Sequence, residues 1–159
     1  METRLRAATP DDTDAIATVW HAAWHDAHVG HVPETLLPER TLDQFRRRVP
    51  QRIAGSTVAE DDEGVVGFVT VEHDELEELM VAERARGTGI AARLLHIGEQ
   101  QIARHHPVAW LAVVAGNARA RRFYAREGWH DAGPIEYYAE TSRGRTLVPS
   151  HRYEKPVQN

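Results

Sequence analysis

ELEELMVAERARGTGIAARLL, residues 75–95, carries the clearest structural signal in this chain. It combines a short apolar strand, a charged turn, two glycines and the first turns of an amphipathic helix. Gly87 and Gly89 allow the backbone to adopt positive φ and to approach a ligand without Cβ clashes. Successive N–H groups can then converge on an anion at the positive end of the helix dipole. The stretch therefore predicts a turn that binds a phosphate or a diphosphate.

Two other phosphate-binding motifs also place glycines at such a turn. A P-loop requires Gly-Lys-Ser/Thr at its end, and no lysine follows Gly89. Residues 87–92 do satisfy the dinucleotide fingerprint G-x-G-x-x-A. In that fold, however, the first glycine follows the strand closely, whereas residues 82–86 separate Val81 from Gly87. The next strand ends in VVAGN and lacks the acidic residue that would bind the ribose, so the sequence favours neither motif.

Hydrophobic periodicity and turn residues divide the chain into alternating strands and helices. The helical segments repeat apolar residues at spacings of three and four, and in the strands apolar and polar residues alternate. Residues 108–115 are the exception: they form an uninterrupted apolar run, which predicts a strand buried on both faces. The predicted elements are β1 5–8, α1 9–27, α2 42–53, β2 57–60, β3 65–71, β4 75–81, α3 90–105, β5 108–115, α4 117–128, β6 136–140 and β7 149–155. Because α3 joins β4 to β5, these strands should be parallel in a right-handed crossover. An α/β fold with a mixed sheet follows.

A second motif follows β5: Asn117-x-x-Ala120-x-x-Phe123-Tyr124-x-x-x-Gly128-Trp129. Together with Arg86-x-x-Gly89-x-Ala91, it resembles the two signatures of the Gcn5-related N-acetyltransferase (GNAT) family. Those signatures are Gln/Arg-x-x-Gly-x-Gly/Ala and N-x-x-A-x-x-F/L-Y-x-x-x-G-F/W. The resemblance covers Leu5 to Lys155 and departs at Glu83, where many members have proline, and at Ala91, where many have glycine. It implies the GNAT fold, with β4 and β5 parallel and splayed apart.

The resemblance also implies acetyl-CoA as the cosubstrate and an amine as the acceptor. The diphosphate would bind the amides of the glycine turn, and the pantetheine arm would lie along the edge of β4, in the wedge between the splayed strands. The implied cofactor-binding residues are Met80, Val81, Arg86, Gly87, Thr88, Gly89, Ile90, Ala91 and Asn117. Arg86 and Arg93 could add positive charge, and a plain helix N-cap is the alternative role for Asn117.

The candidate catalytic residues are Tyr124, Glu75 and Glu77. The resemblance gives Tyr124 the role of the general acid that protonates the leaving thiolate, and packing beside Phe123 is the structural alternative. Glu75 matches the position of a catalytic glutamate in several family members. Strand alternation predicts Glu75 and Glu77 on one face and Glu78 on the opposite face. An exposed acidic strand edge is the alternative interpretation of these glutamates.

Composition disfavours several other classes of function. The 159 residues carry a formal net charge of -5 and no cysteine, which disfavours nucleic-acid binding and excludes disulfides and Cys-based zinc sites. The arginine clusters at 46–48 and 119–122 are expected on solvated helix faces. His21, His25 and His28 share one face of α1, where exposed histidines or acceptor-site residues are favoured over a metal site. No stretch resembles a signal peptide or a membrane span. We expect one cytoplasmic domain over residues 1–159, with no metal, nucleic-acid or membrane partner.

The leading functional hypothesis is an acetyl-CoA-dependent N-acetyltransferase that acts by direct attack in a ternary complex. Its acceptor would be a primary amine of a small molecule or of a protein, selected by the loops at residues 29–37 and 135–150. A non-catalytic acyl-CoA-binding sensor or interaction module is the alternative, which Tyr124 and the acidic strand disfavour. The resemblance further implies a homodimer that forms through the late strands.

Overall fold

The computed structural model describes residues 2–159 and contains a seven-stranded sheet in the order β1-β2-β3-β4-β5-β7-β6. The elements are β1 Arg4–Ala7, α1 Thr13–His28, α2 Leu42–Arg48, β2 Ser56–Asp61, β3 Gly64–Glu72, β4 Glu75–Val81, α3 Ile90–Ala103, β5 Val108–Val114, α4 Ala118–Arg126, β6 His130–Thr141 and β7 Gly144–Pro156. The predicted mixed sheet and order of elements are confirmed. Within residues 2–159, no helix has both the length and the apolar character that crossing a membrane requires.

The sheet opens between its two parallel strands. β4 and β5 are in register at a single position within residues 2–159, where Glu75 lies opposite Trp110. The Trp110 N–H donates to the Asp74 carbonyl oxygen at 3.0 Å. From Leu76 to Val81, β4 is paired with β3 on one side, and its other side faces the opening. The predicted splay is therefore confirmed, and it leaves a cleft at the carboxyl ends of both strands.

An apolar layer covers each face of the sheet. On one face α3 packs against the strands, and its Gly98 allows a close approach because a Cβ there would lie 3.0 Å from Leu76 Cδ1. On the other face α1 and α2 bury Trp20 and Phe45, whose ring centroids are 4.7 Å apart. These two layers fix the helices on either side of the cleft.

Three elements differ from their predictions. The α2 helix, predicted over 42–53, becomes a 3-10 helix at Val49–Gly55, because Pro50 has no N–H for an α-helical hydrogen bond. β5 is fully buried on one face only: its alternate residues Ala109, Leu111 and Val113 are buried, those between them are half-buried, and Val108 is 39% exposed. β6 and β7 are 12 and 13 residues long, much longer than predicted, because their largely polar sequence hides the hairpin.

Candidate active site

The glycine turn before α3 has the geometry of an anion-binding loop. Gly87 and Gly89 have φ values of +77° and +86°, and an added Cβ would meet no atom within 4 Å at either position. Glycine is therefore needed there for its conformation and not for lack of space. Within the described chain, the N–H groups of residues 87–89 donate to no protein acceptor. They lie at the N-terminus of the 14-residue helix α3, where the dipole favours an anion.

The charged side chains beside this turn already have protein partners. Arg86 forms an ion pair with Asp26 of α1 at 2.9 Å, and Arg93 donates to the Thr3 carbonyl oxygen at 3.3 Å. A pocket of about 410 Å³ adjoins the turn. It is lined by Thr3, Asp61, Glu63, Arg84, Ala85, Thr88, Ile90 and Arg93. The backbone amides are thus the available anion donors, and Arg86 would have to leave Asp26 to reach a phosphate.

A β-bulge lies in β4 at the start of the splay. Thr70 of β3 faces Glu78, but the next residue, Val71, faces Leu76, so Glu77 is an extra residue without its own partner. Such a bulge interrupts the alternation of side chains along a strand. The side chains before Glu77 and those after it therefore do not form one continuous alternation between the two faces of the sheet.

The bulge brings three glutamates to one face of the sheet. Leu76 packs in the α3 layer, whereas Met80 packs in the α1–α2 layer, although strict alternation would place both on the same side. Glu75 and Glu77 lie opposite Leu76, and Glu78 shares the side of Met80. The prediction that Glu78 lies on the opposite face from Glu75 and Glu77 is therefore wrong, because it assumed unbroken alternation.

Two of these carboxyl groups have strongly raised pKa values. Burial raises the pKa of Glu78 to about 8 against the opposing attraction of Arg48. Burial and the charge of Glu77 raise the pKa of Glu75 to about 7. Glu77 instead forms an ion pair with Arg52 at 2.8 Å. Glu75 and Glu78 can thus each accept or release a proton near neutral pH.

Tyr124 lies in the last turn of α4 beside the cleft. Its ring is buried against Phe123 and Trp129, with centroid distances of 5.2 and 6.1 Å. Its hydroxyl has no hydrogen-bond partner among residues 2–159. Trp20 Nε1 is the one polar side-chain atom in this range that is both fully buried and without a partner, so the Tyr124 hydroxyl is not fully buried. Burial, and then the charge of Glu78, raise the pKa of Tyr124 well above its usual range. The phenol therefore keeps its proton at neutral pH.

Asn117, Met80 and Val81 have structural roles of their own. The Asn117 Oδ1 accepts a hydrogen bond from the Ala120 N–H at 3.1 Å, so this side chain is the N-cap of α4. The side chains of Met80 and Val81 pack in opposite apolar layers. What they present to the cleft is the unpaired backbone edge of β4. Of the predicted cofactor residues, these three therefore contribute backbone or loop geometry.

Two arginines of the cleft were missed by the sequence analysis. Arg40 follows a 3-10 helix over Glu34–Glu39, and its side chain is buried with its guanidinium 5.9 Å from the Trp24 ring centroid. Arg48 ends α2 with its guanidinium 4.9 Å from the Trp20 ring centroid. The prediction that residues 46–48 form a solvated face is thus wrong for Arg48. The available signal was that Arg48 precedes the buried Val49 and so lies at the border of the apolar face of α2.

The four histidines at the end of α1 each have a structural partner. His25 Nε2 is 2.8 Å from the Arg40 carbonyl oxygen, and the His21 and His25 rings are 4.7 Å apart. His28 stacks on a tryptophan ring, and burial lowers its pKa to about 4. His31 packs against the backbone at Gly116. Among residues 2–159, no three metal-ligating side chains are grouped closely enough to hold a metal ion.

Comparison with known proteins places this arrangement among acetyltransferases. Residues 14–141 match the family model of the acetyltransferase (GNAT) domain. An uncharacterized N-acetyltransferase from Archaeoglobus fulgidus is 39% identical over 85 residues, and the match covers 46% of this chain and 58% of that relative. The chain thus spans less than two thirds of the length of this relative.

Solved structures share the whole topology at low sequence identity. A GCN5-related N-acetyltransferase from Rhodopseudomonas palustris superposes with a TM-score of 0.77 and 16% identity over 98% of this chain and 96% of that one. PaiA N-acetyltransferase from Thermoplasma acidophilum, in complex with coenzyme A, superposes with a TM-score of 0.72 and 16% identity over 98% of this chain and 99% of that one. A ribosomal-protein-alanine N-acetyltransferase from Brucella melitensis superposes with a TM-score of 0.72 and 22% identity over 96% of this chain and 99% of that one. At these identities the likeness establishes a common fold.

Proposed function

This chain belongs to the GNAT acetyltransferase family, and we propose that it is an acetyl-CoA-dependent N-acetyltransferase acting on a primary amine. The observation that carries the proposal is the opening between β4 and β5. Among residues 2–159, the amides of the glycine turn at one end of the opening have no partner, and the opening contains Glu78, whose charge raises the pKa of Tyr124. A related fold in which coenzyme A has been seen, PaiA from Thermoplasma acidophilum, supports the choice of cosubstrate.

The residues of the cleft fit the chemical groups of acetyl-CoA. The amides of residues 87–89 and the first turn of α3 would hold the diphosphate, with no Cβ in the way. The free edge of β4 from Leu76 to Val81 would pair with the amide groups of the pantetheine arm, as an added strand does. Acetyl-CoA itself supplies the thioester. Since the edge ends at the bulge, the thioester would lie beside the glutamates.

Proton transfer is the task of Glu78 and Tyr124. Glu78 accepts a proton from the ammonium form of the acceptor, and the neutral amine nitrogen then attacks the thioester carbonyl carbon. As the carbon–sulfur bond breaks, Tyr124 donates its phenolic proton to the sulfur, and the acylated nitrogen loses its remaining excess proton, which returns through solvent to the phenolate. Glu78 releases its proton to solvent after the products leave. Tyr124 is protonated at neutral pH and so has a proton to donate. Glu75 is the second candidate base, and the ion pair with Arg52 makes Glu77 the weakest of the three.

The enzyme and the alternative sensor make different predictions for a Tyr124→Phe variant. We expect turnover to fall about 10²- to 10⁴-fold while the affinity for acetyl-CoA stays the same. Thiol release from acetyl-CoA, followed with a thiol-reactive dye, measures turnover without background, because the chain has no cysteine. Tyr138→Phe removes the hydroxyl of a 45% exposed tyrosine and serves as the control. Tight acetyl-CoA binding without acceptor-dependent thiol release would favour the sensor.

Other parts of the proposal concern the protein as a whole. We propose that residues 1–159 form one catalytic domain, because the seven predicted strands all join one sheet. A cytoplasmic location and a homodimer formed through β6 and β7 stay predictions. Size-exclusion chromatography with light scattering would test the dimer.

A further inference from the structure

Arg40 is a buried cation that has no ion-pair partner among residues 2–159. Its side chain is 6% exposed, and its position is fixed by the backbone, because His25 Nε2 lies 2.8 Å from its carbonyl oxygen. Its guanidinium lies over Trp24 and donates to the Glu39 carbonyl oxygen at 3.3 Å. That single long hydrogen bond leaves most of the five guanidinium N–H groups without a protein acceptor.

Arg48, at the end of α2, is half-buried and likewise lies over aromatic rings. Its guanidinium lies 4.9 Å from the Trp20 ring centroid and 5.9 Å from that of Phe45. Among residues 2–159, neither Arg40 nor Arg48 has a carboxylate oxygen within 4.0 Å. The adjacent Arg52, in contrast, is paired with a glutamate at 2.8 Å.

Both guanidinium groups act on the cleft that contains Glu78. Burial lowers the pKa of Arg40 to about 10. Repulsion by Arg48 lowers it further, whereas attraction by Glu78 raises it. Burial lowers the pKa of Arg48 as well, and the charge of Glu78 is again the main opposing effect. Two cations thus share one carboxyl group that is itself partly protonated near neutral pH. Because buried unpaired charges are unfavourable, this side of the cleft is suited to a further anion.

We propose that the acceptor is a small primary amine that also carries a carboxylate, and that Arg40 and Arg48 bind this carboxylate while the amine faces Glu78. This inference rests on the proposed acetyltransferase function. The planar guanidinium group matches a carboxylate through two parallel hydrogen bonds, and the aromatic rings behind it restrict its orientation. A free amino acid is the simplest molecule of this class.

The β6–β7 hairpin favours a small acceptor over a polypeptide. At its tip the Ser142 hydroxyl donates to Glu39 Oε1 at 2.6 Å, and the Ser142 N–H donates to Glu39 Oε2 at 3.2 Å. Glu39 immediately precedes Arg40, so these hydrogen bonds hold the tip of the hairpin next to the proposed carboxylate site. A polypeptide acceptor bound there would have to pass the hairpin, whereas a free amino acid would not.

Matched pairs of acceptors test the proposal. Thiol release from acetyl-CoA would be measured with the common L-amino acids and with the amines that lack the carboxylate but keep the same side chain. We expect the best amino acid to exceed its decarboxylated partner about 10- to 100-fold in kcat/KM, as for the loss of a charge-assisted hydrogen-bonded pair. Equal rates for the two sets, or a preference for the amines, would overturn the inference and leave the acetyltransferase function standing.

Variants of the two arginines locate the effect. Arg48→Gln should raise the KM for the amino acid about 10- to 100-fold and leave the KM for acetyl-CoA unchanged. Because Arg48 also lowers the pKa of Glu78, the variant should slow both acceptors to the same extent in kcat, so the diagnostic result is a fall in the preference for the amino acid over its decarboxylated partner. Arg40→Gln should act in the same way. Arg47→Gln removes an exposed charge from the same helix and is the matched control. If a glutamine variant does not fold, as judged by circular dichroism, Arg48→Lys replaces it and should show a smaller rise in KM.

Two further results would contradict the proposal. If Arg48→Gln raises the KM for the amino acid and for its decarboxylated partner equally, Arg48 has a structural role and does not bind a carboxylate. If peptides with a free N-terminus are better acceptors than every amino acid, the small-acceptor inference is wrong. Absence of thiol release with all amines and of acetyl-CoA binding in calorimetry would instead reject the proposed function, and the inference with it.

Discussion

Replacing Glu78 by glutamine should stabilise the protein at alkaline pH. In the folded cleft, burial raises the pKa of this carboxyl from 4.5 to about 8. A carboxyl group whose folded pKa is raised supports folding fully below its unfolded pKa, and this support is lost as the pH rises to the folded pKa. Glutamine is close in shape and stays neutral, so the variant avoids that loss.

The magnitude follows from the pKa difference. Each unit corresponds to about 1.36 kcal/mol, so the shift of Glu78 represents at most roughly 5 kcal/mol. The attraction by Arg48 is already contained in that shift. Since the side chain is only half-buried and water reaches the cleft, we expect the variant to gain about 3 kcal/mol over wild type between about pH 5 and about pH 9. Above the folded pKa, the difference between the two proteins should be constant.

Urea unfolding of both proteins at a series of pH values measures this difference directly. Glu72→Gln, which removes an exposed carboxylate at the end of β3, is the control for the loss of one charge. A difference between Glu78→Gln and wild type that stays constant or shrinks as the pH rises from the unfolded pKa of 4.5 to the folded pKa of about 8 would refute the burial argument. The same variant should lose about 10²- to 10⁴-fold in turnover if Glu78 is the base. Full activity would transfer that role to Glu75.

Three other perturbations give clear expectations. Gly89→Val forces a β-branched residue to a φ of +86° and should weaken acetyl-CoA binding at least about tenfold in calorimetry, through loss of the amide geometry. Asp12→Asn removes a carboxylate whose pKa is lowered to about 2, first by hydrogen bonds from Arg6; we expect a loss of roughly 1–2 kcal/mol at neutral pH that disappears as the pH falls from about 4 to about 2. Phe45→Ala should lower the unfolding free energy by about 3–5 kcal/mol in urea, whereas Val29→Ala at a 54% exposed site should leave it nearly unchanged.

The properties of residues 75–95 could be predicted because they are local. The strand, the two positive φ values and the start of α3 at Ile90 depend on neighbouring residues in the sequence. The parallel pairing of β4 with β5 followed from the crossover through α3. Together these features are enough to locate the cleft between the two strands.

The face on which Glu78 lies could not be predicted from alternation. The bulge at Glu77 exists because of how β4 pairs with β3, and pairing is a property of two distant segments. A shift of one residue moves every following side chain to the other face of the sheet. Alternation therefore assigns Glu78, whose charge raises the pKa of Tyr124, to the wrong face of the sheet.

Arg40 and Arg48 were missed for a similar reason. A run of three arginines on a helix is typical of a solvated surface, and nothing within the run separates its last member from the first two. Arg48 enters the cleft because α2 packs against α1, which places Trp20 beneath it. The role of a charged residue at the border of an apolar helix face can be predicted only when the element that packs against that face is known.

The opening between β4 and β5 also bears on aggregation. An unpaired strand edge is normally a hazard, since it can recruit strands from other molecules. Here the unpaired edge lies in the middle of the sheet, with β5 across the gap and helical layers above and below. A foreign strand would have to enter a gap that is closed at Glu75 and Trp110. The unpaired edge of β4 thus lies inside the sheet, where a strand from another molecule could pair with it only by inserting between β4 and β5.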